Sequence, residues 1–399
     1  MHICLFSIRN IHSESSVWGG VHTHVKHLVE LLLENDFDVS LITGDGVLFE
    51  GKKLRIIPIG GNNKENSLWF KKAQSAFINL NKKQSVDCIF LEGWAGRDMM
   101  TNFDCMNIPV VAFVHLMHFH YFYNIWQEVE GIRSLKSYFI RSFPSFIYGM
   151  VLKDFIFIRK CQKVVTGSLL IANQIKKIYG VHEEKVETIH NWVDTKIFSF
   201  NHVSRSILRN ELGICQDSPV FLIVGALRRA KGFRVVLRAF DRITVKIPNA
   251  FLLIAGDGPD RYYLQKQIQH VEEKNKHVKF IGAYPHKELP SLYSCADVFI
   301  LPSLMNEVLP YTLIEAMSCS LPVIATDISA SREALGASAC LVPRGDVANL
   351  AKAMLEHALN LNSKKADAKS NRQRVQNYFS TEAASQKITS LISSVVSKK

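Results

Sequence analysis

No apolar run in this chain of 399 residues approaches the roughly 18 residues needed to cross a bilayer as a helix. The N-terminal stretch MHICLFSIRN also lacks a basic region ahead of an apolar segment of about 7 to 15 residues. The protein is therefore expected to be neither membrane-spanning nor exported. There is no C-x-x-C pair: the eight cysteines stand singly, which argues against a zinc ribbon and a disulfide framework. Cys88, inside VDCIFLE, reads as a small buried hydrophobe, and a reducing cytoplasm fits such thiols.

What is present is globular composition, with 47% hydrophobic and 21% charged residues. The length exceeds one ordinary core and suits two domains of roughly 200 residues each. A net charge of +12 attracts polyanions, and much of it is concentrated between residues 131 and 177, where nine lysines and arginines face one acid, Asp154.

Short β-rich runs alternate with helical stretches. HICLFSI, a helix over Val21 to Glu34, DVSLIT, VDCIFLE, PVVAFVH, KVVTGS and VETIH form one series. PVFLIVG, AFLLIAG, HVKFIG, DVFILPS and LPVIAT form a second. The alternation predicts βαβ units in two parallel sheets, with the boundary in residues 199–218. Ligands in such sheets bind beyond the carboxyl ends of the strands, so the strand-to-helix loops are where chemistry is expected.

Three of those loops carry candidate residues. Gly19-Gly20 precedes the first helix, where glycines let backbone amides approach an anion, or simply make a tight turn. After PVFLIVG comes Ala226-Leu227-Arg228-Arg229-Ala230-Lys231-Gly232, whose cations at a helix start suit a leaving diphosphate or form a solvated basic turn. After DVFILPS, Glu307 and Glu315 stand eight positions apart across a strand-loop-helix junction. Thr312 and Glu315 also fit a capping box, which accounts for Glu315 but leaves Glu307 unexplained.

Together Gly19-Gly20, VGAL with Lys231-Gly232, AGDGP at 255–259, PSLMNEVLPYTLIEAM and LPVIATD resemble family 4 glycosyltransferases, in the family's order and over nearly the whole chain. The resemblance implies an α/β chain of GT-B fold: two Rossmann-like domains, 1–200 on the acceptor side and 201–378 binding the nucleotide sugar, facing each other across a cleft. Residues 379–399 are expected to form a helix packing back on the first domain. It implies a retaining, metal-independent hexosyltransferase in cell-surface polysaccharide or lipopolysaccharide synthesis. The donor is expected to be a UDP-sugar first and a GDP-sugar second, and the acceptor a saccharide or lipid-linked saccharide.

By that resemblance Glu307 contacts donor-sugar hydroxyls, Glu315 the ribose, and Lys231 the diphosphate, with Gly19, Gly20, Val308, Leu309 and Pro310 completing the donor pocket. His115, ending PVVAFVH, lies beside the sugar ring, or else is a hydrogen-bonded structural histidine. Glu307, Lys231 and His115 are the expected catalytic residues. Base contacts are expected near Ala283, Tyr284 and Pro285. Asn191 and Asp194 resemble a structural turn of the family. Because family members are held to pass the acceptor proton to the departing phosphate, no dedicated base is expected.

The chain departs from the family at Ala226, where an arginine is usual; Arg228, or Arg229, is the expected replacement. Trp192 stands for a glycine, His190 for a proline and Ser320 for the glycine ending the helix after Glu315. Asp36-Phe37-Asp38 imitates a D-x-D metal motif but precedes a strand, and His22 and His24 point to different faces, so no metal or other cofactor is expected. Residues 116–163 combine aromatics at helical spacing with basic residues, so they either lie on an anionic membrane surface, on its cytoplasmic face, or pack inward. The competing reading is a non-catalytic nucleotide-sugar-binding or scaffold protein of the same fold. Nucleic-acid binding ranks last, since no interleaved aromatic-basic strand module is present.

Overall fold

The structure, a computed structural model, describes residues 1–7, 20–60, 66–93, 107–115, 148, 153–272 and 277–397. The chain divides into two compact units, Met1–His190 with Ala384–Lys399, and Asn191–Ala383. The boundary at Asn191 falls before the expected 199–218 segment, and the reason is local. Val193 donates its amide to the Phe379 carbonyl at 2.9 Å, and Arg372 reaches the Thr195 and Phe198 carbonyls at 3.2 Å each. Those bonds tie the turn that follows His190 to the second unit.

The first unit is built on an eight-stranded sheet ordered β3-β4-β2-β1-β5-β6-β7-β8. Its strands are β1 (His2–Ser7), β2 (Asp38–Thr43), β3 (Phe49–Glu50), β4 (Leu54–Pro58), β5 (Cys88–Glu92), β6 (Val110–Phe113), β7 (Lys163–Thr166) and β8 (Val186–Thr188). Only β3 runs antiparallel, against β4; the other pairings are parallel. The continuous apolar runs are explained by burial on both sides: every residue of β1, β5 and β6 is buried. Helix α1 (Gly20–Glu34) lays Val25, Leu28, Val29 and Leu32 into this core. From Ala384 onward the helix Thr381–Val396 counts with this unit, and Ser385 donates to Asn35 Oδ1 at 2.8 Å.

The second unit carries a six-stranded, wholly parallel sheet ordered β11-β10-β9-β12-β13-β14. Its strands are β9 (Val220–Val224), β10 (Phe251–Ala255), β11 (Val278–Gly282), β12 (Val298–Leu301), β13 (Val323–Thr326) and β14 (Cys340–Val342). In order of appearance this is the 3-2-1-4-5-6 arrangement of a Rossmann sheet, whose strand order reverses between β9 and β12. Successive strand residues feed opposite cores: Leu222, Leu253 and Phe299 one, Phe221, Leu252 and Ile300 the other.

Two helix ends explain sequence features that mimic or break a motif. After α1, Phe37 donates to Leu32 and Asp36, at φ 66°, donates to Leu33, which is a left-handed C-terminal cap. Asp36 also pairs with Lys53, so the D-x-D look-alike is a helix-ending turn. After helix Tyr311–Ser318, Leu321 donates to Ala316 and Ser320 to Met317 in the same pattern, with Ser320 at φ 57°. Serine thus occupies the left-handed position that glycine takes without Cβ strain. Ser320→Gly is expected to raise unfolding free energy by about 1 kcal/mol, measured by urea denaturation; no gain, or a loss, would count against strain at this position.

Candidate active site

The site in the second unit starts from an unusually close backbone approach. Gly232, at φ 74°, caps helix Phe233–Thr244, and a Cβ built on it would sit 1.9 Å from the Pro302 carbonyl oxygen. Only glycine fits, so the loop after β9 can press against the loop after β12. Leu304 then donates its amide to Ala230 at 2.8 Å, joining the two loops. Lys231 and Glu307 meet as a result: the ammonium donates to Glu307 Oε2 and the Ser303 hydroxyl donates to Oε1. The Glu307 side chain is 11% exposed and that of Lys231 31%, so the pair faces outward through the cation.

The Glu307 loop is braced from outside. Asn191 donates to the Leu309 carbonyl at 2.6 Å, Arg344 to Asn306 Oδ1, and Thr326 to the Ser303 carbonyl at 2.7 Å. Asp194 accepts from the Lys196 and Ile197 amides, so Asn191 and Asp194 of the HNWVD turn both hold backbone. Leu309 buries its side chain in the core, while Val308 and Pro310 are partly exposed. Pro310 is the helix N-cap and no side chain closes that cap, which overturns the capping-box reading of Thr312 and Glu315. The positive end of that helix lies in the same loop.

AGDGP has a mainly architectural role. A Cβ on Gly256 would meet the Gly225 carbonyl oxygen at 1.9 Å and one on Gly258 the Leu227 oxygen at 2.5 Å. Leu227 donates to Asp257 at 2.9 Å, and Asp260 donates back to Leu227 at 2.9 Å. This docking shapes the loop that carries Ala226 and ends in a short turn, Arg229–Lys231, with Arg228 and Arg229 both exposed.

Glu315 is buried in helix Tyr311–Ser318 and 2% exposed. The Tyr293 hydroxyl donates to its Oε2 at 2.7 Å and His286 Nε2 lies 3.1 Å from its Oε1. Burial, followed by the Glu315 charge, pushes the Tyr293 hydroxyl well above the usual tyrosine range, so it stays a neutral donor. Each carboxylate oxygen can accept a second hydrogen bond, and any ribose contact would have to use that capacity. Tyr284 packs its ring partly against the core, while Ala283 and Pro285 are exposed. Neither Tyr293 nor His286 stood out in the sequence; His286 follows β11 in a strand-to-helix loop, which is the signal that could have found it.

In the first unit Gly20 opens α1, where a Cβ would meet no described residue within 4 Å, whereas Gly19 lies outside the described residues. His115 follows β6, and its Nε2 contacts Glu92 Oε1. Glu92 ends the neighbouring strand β5 and also meets His24 Nδ1 at 3.0 Å. The sequence does not join His24 and Glu92 to His115, because the three meet only through the fold: the parallel register pairs Glu92 with Phe113, and helix α1 carries His24. Their ligand atoms lie within 4.8 Å of one another, a spacing that a metal ion also tolerates. Most of residues 116–163, expected either to meet an anionic membrane surface or to pack inward, lie outside the described residues; among those described, no helix is long and apolar enough to cross a membrane.

Residues 18–197 match the family described as Glycosyltransferase Family 4, and residues 204–375 the one described as Glycosyl transferases group 1. The alpha-galactosylglucosyldiacylglycerol synthase of Streptococcus pneumoniae is 25% identical over 71% of this chain and 75% of its own length. Sucrose-phosphate synthase from Thermosynechococcus elongatus superposes with TM-score 0.82 at 21% identity, covering 100% of both chains. Anabaena HepE in complex with UDP-glucose gives TM-score 0.74 at 17% identity over 99% of this chain and 100% of its own.

The close approach at Gly232 yields a direct test. Gly232→Ala adds a Cβ against the Pro302 carbonyl at a left-handed φ and is expected to destabilise the protein by about 3 kcal/mol or more, read by urea denaturation. A change below about 1 kcal/mol would mean that the two loops do not depend on this contact.

Proposed function

Because the chain belongs to the family 4 glycosyltransferases and has their GT-B fold, we propose that it transfers a hexose with retention of anomeric configuration, without a metal. The donor is a UDP-sugar, with a GDP-sugar as the next choice, and the acceptor a saccharide or lipid-linked saccharide of a cell-surface glycan. The observation that carries this reading is the Lys231–Glu307–Ser303 contact at the strand-order reversal between β9 and β12. It puts a cation for the diphosphate and a carboxylate for sugar hydroxyls on adjoining loops.

In the proposed reaction Lys231, supported by Arg228 or Arg229 and the positive end of helix Tyr311–Ser318, stabilises charge growing on the leaving diphosphate. An ammonium has three donors, so Lys231 can hold Glu307 and a phosphate oxygen together. Glu307 accepts from donor-sugar hydroxyls, Glu315 from the ribose, and His115 contacts the sugar ring. The departing phosphate oxygen takes the acceptor proton, which removes the need for a carboxylate base. The pneumococcal relative, named as a synthase of a glycosylated diacylglycerol, supports a lipid-linked acceptor. A neighbour of the same fold that holds UDP-glucose makes that sugar nucleotide the first probe.

A thermal-shift series with UDP, GDP, ADP and CMP and their sugars is expected to give its largest rise with a uridine nucleotide. UDP-glucose should then be turned over, slowly by water or faster with an acceptor, and NMR of the product should show the donor's anomeric configuration. Lys231→Ala and Glu307→Ala are expected to lower turnover at least about a hundredfold while the variants still fold. Binding without turnover would favour the non-catalytic alternative, and inverted product would remove the retaining assignment.

A further inference from the structure

Glu92 is an expensive residue to bury. It ends β5 with its side chain 1% exposed, yet its carboxyl is held down at about 2 from the ordinary 4.5, because the charges of His24 and His115 and the hydrogen bonds they make outweigh desolvation. A carboxylate in that state only accepts, so both imidazoles must be donors toward it: His24 through Nδ1 at 3.0 Å, and His115 through Nε2. His24, in turn, is itself buried, and burial lowers its proton affinity against the pull of Glu92. Its ring stands edge-on to His115 at 4.7 Å between centroids, 77° apart, and lies 5.3 Å from Phe113. The His115 ring is thereby fixed at one nitrogen by a charge and along one side by a second ring.

The exposures give the cluster a direction. The side chains of Glu92 and His24 are 1% and 4% exposed and that of His115 is 15%, so of the three only His115 reaches the surface appreciably. Glu92 Oε2 is buried and has no partner among the described residues. A buried ionic group rarely stabilises a fold better than apolar packing would, and an unpartnered carboxylate oxygen makes this one worse. Stability alone therefore does not account for a charge here.

We propose that Glu92 is a positioning residue for His115. By accepting from Nε2–H it fixes the neutral imidazole as the tautomer whose Nδ1 is the lone-pair acceptor, so that His115 receives a hydrogen bond from a substrate hydroxyl. His24 shares the same carboxylate oxygen and keeps the His115 ring from rotating. The inference rests on the proposed glycosyl transfer, in which His115 meets the sugar, but its tautomer claim stands apart from turnover.

The experiment uses the full chain with 15N-labelled histidine, in the wild type and in Glu92→Gln and Glu92→Asp, with His115→Gln to assign the ring signals. Wild-type His115 is expected to carry its proton on Nε2 in the neutral form, and Glu92→Gln to show mixed tautomers. With UDP-glucose as donor, Glu92→Gln should lower kcat roughly ten- to a hundredfold with donor KM within about twofold, and Glu92→Asp should recover part of the loss. A proton on Nδ1 of wild-type His115, or wild-type kcat in Glu92→Gln, would overturn the proposal. So would one-to-one binding of Zn2+ that Glu92→Gln abolishes, since the three groups would then be ligands. If the wild type neither binds nor turns over UDP-glucose, that donor assignment fails, while the ring signals still decide the tautomer.

Discussion

The contact on which the second unit's site depends is a backbone one: the absence of a Cβ at Gly232 lets the loop after β9 lie against the Pro302 carbonyl. Everything charged in the site follows from that distance. Leu304 bonds to Ala230 across the gap, Lys231 reaches Glu307, and Ser303 takes the other carboxylate oxygen. A partly exposed ion pair contributes little to stability. In the proposed transfer its value lies in preorganisation, since both charges are already oriented before a ligand arrives and need not reorganise when charge develops.

Two buried carboxylates, one in each unit, are handled by the same chemistry with different partners. Glu92 is held between two imidazoles, and Glu315 between one imidazole and a phenol. Each ends or follows a strand of a parallel sheet, and each is reached by a donor from another strand-to-helix segment. The difference lies in the partners: Tyr293, its hydroxyl pushed well up by burial and by the Glu315 charge, can only be a neutral donor.

Much of this was legible in the chain because it is local. The apolar runs of β1, β2, β5 to β7, β9, β10, β12 and β13 were readable since parallel strands are buried on both faces and need no alternation. The loop cations and the Glu307–Glu315 spacing were readable because a strand, a loop and a helix follow one another directly. Short or partly exposed strands such as β3, β4 and β14 were not, their burial being too uneven to mark a period. Glu92 and His24 escaped because their meaning comes from tertiary structure: 68 positions separate them, and it takes the β5–β6 pairing together with helix α1 to make them neighbours of His115. The domain boundary escaped for a similar reason, since Asn191 and Val193 are claimed by partners at Leu309 and Phe379.

Ala226, where the family usually has arginine, looks at first like a missing charge. The loop geometry changes what that absence means. Ala226 sits where Leu227 and Gly225 are pinned to Asp257 and Ala255, so a side chain there leaves from a rigid, partly buried base. Arg228 and Arg229 leave from the exposed rim of the same loop, within three residues of Lys231 and beside the positive end of helix Phe233–Thr244. A diphosphate has several oxygens, and guanidinium is a long-reaching bidentate donor, so charge delivered from the rim can serve the same anion. What is lost is rigidity: a rim arginine must be ordered as the ligand binds, which costs side-chain entropy that a base held by the loop would not. In the proposed reaction the substitution therefore bears on how fast and how tightly the donor is gripped, while the positive field of the loop survives it.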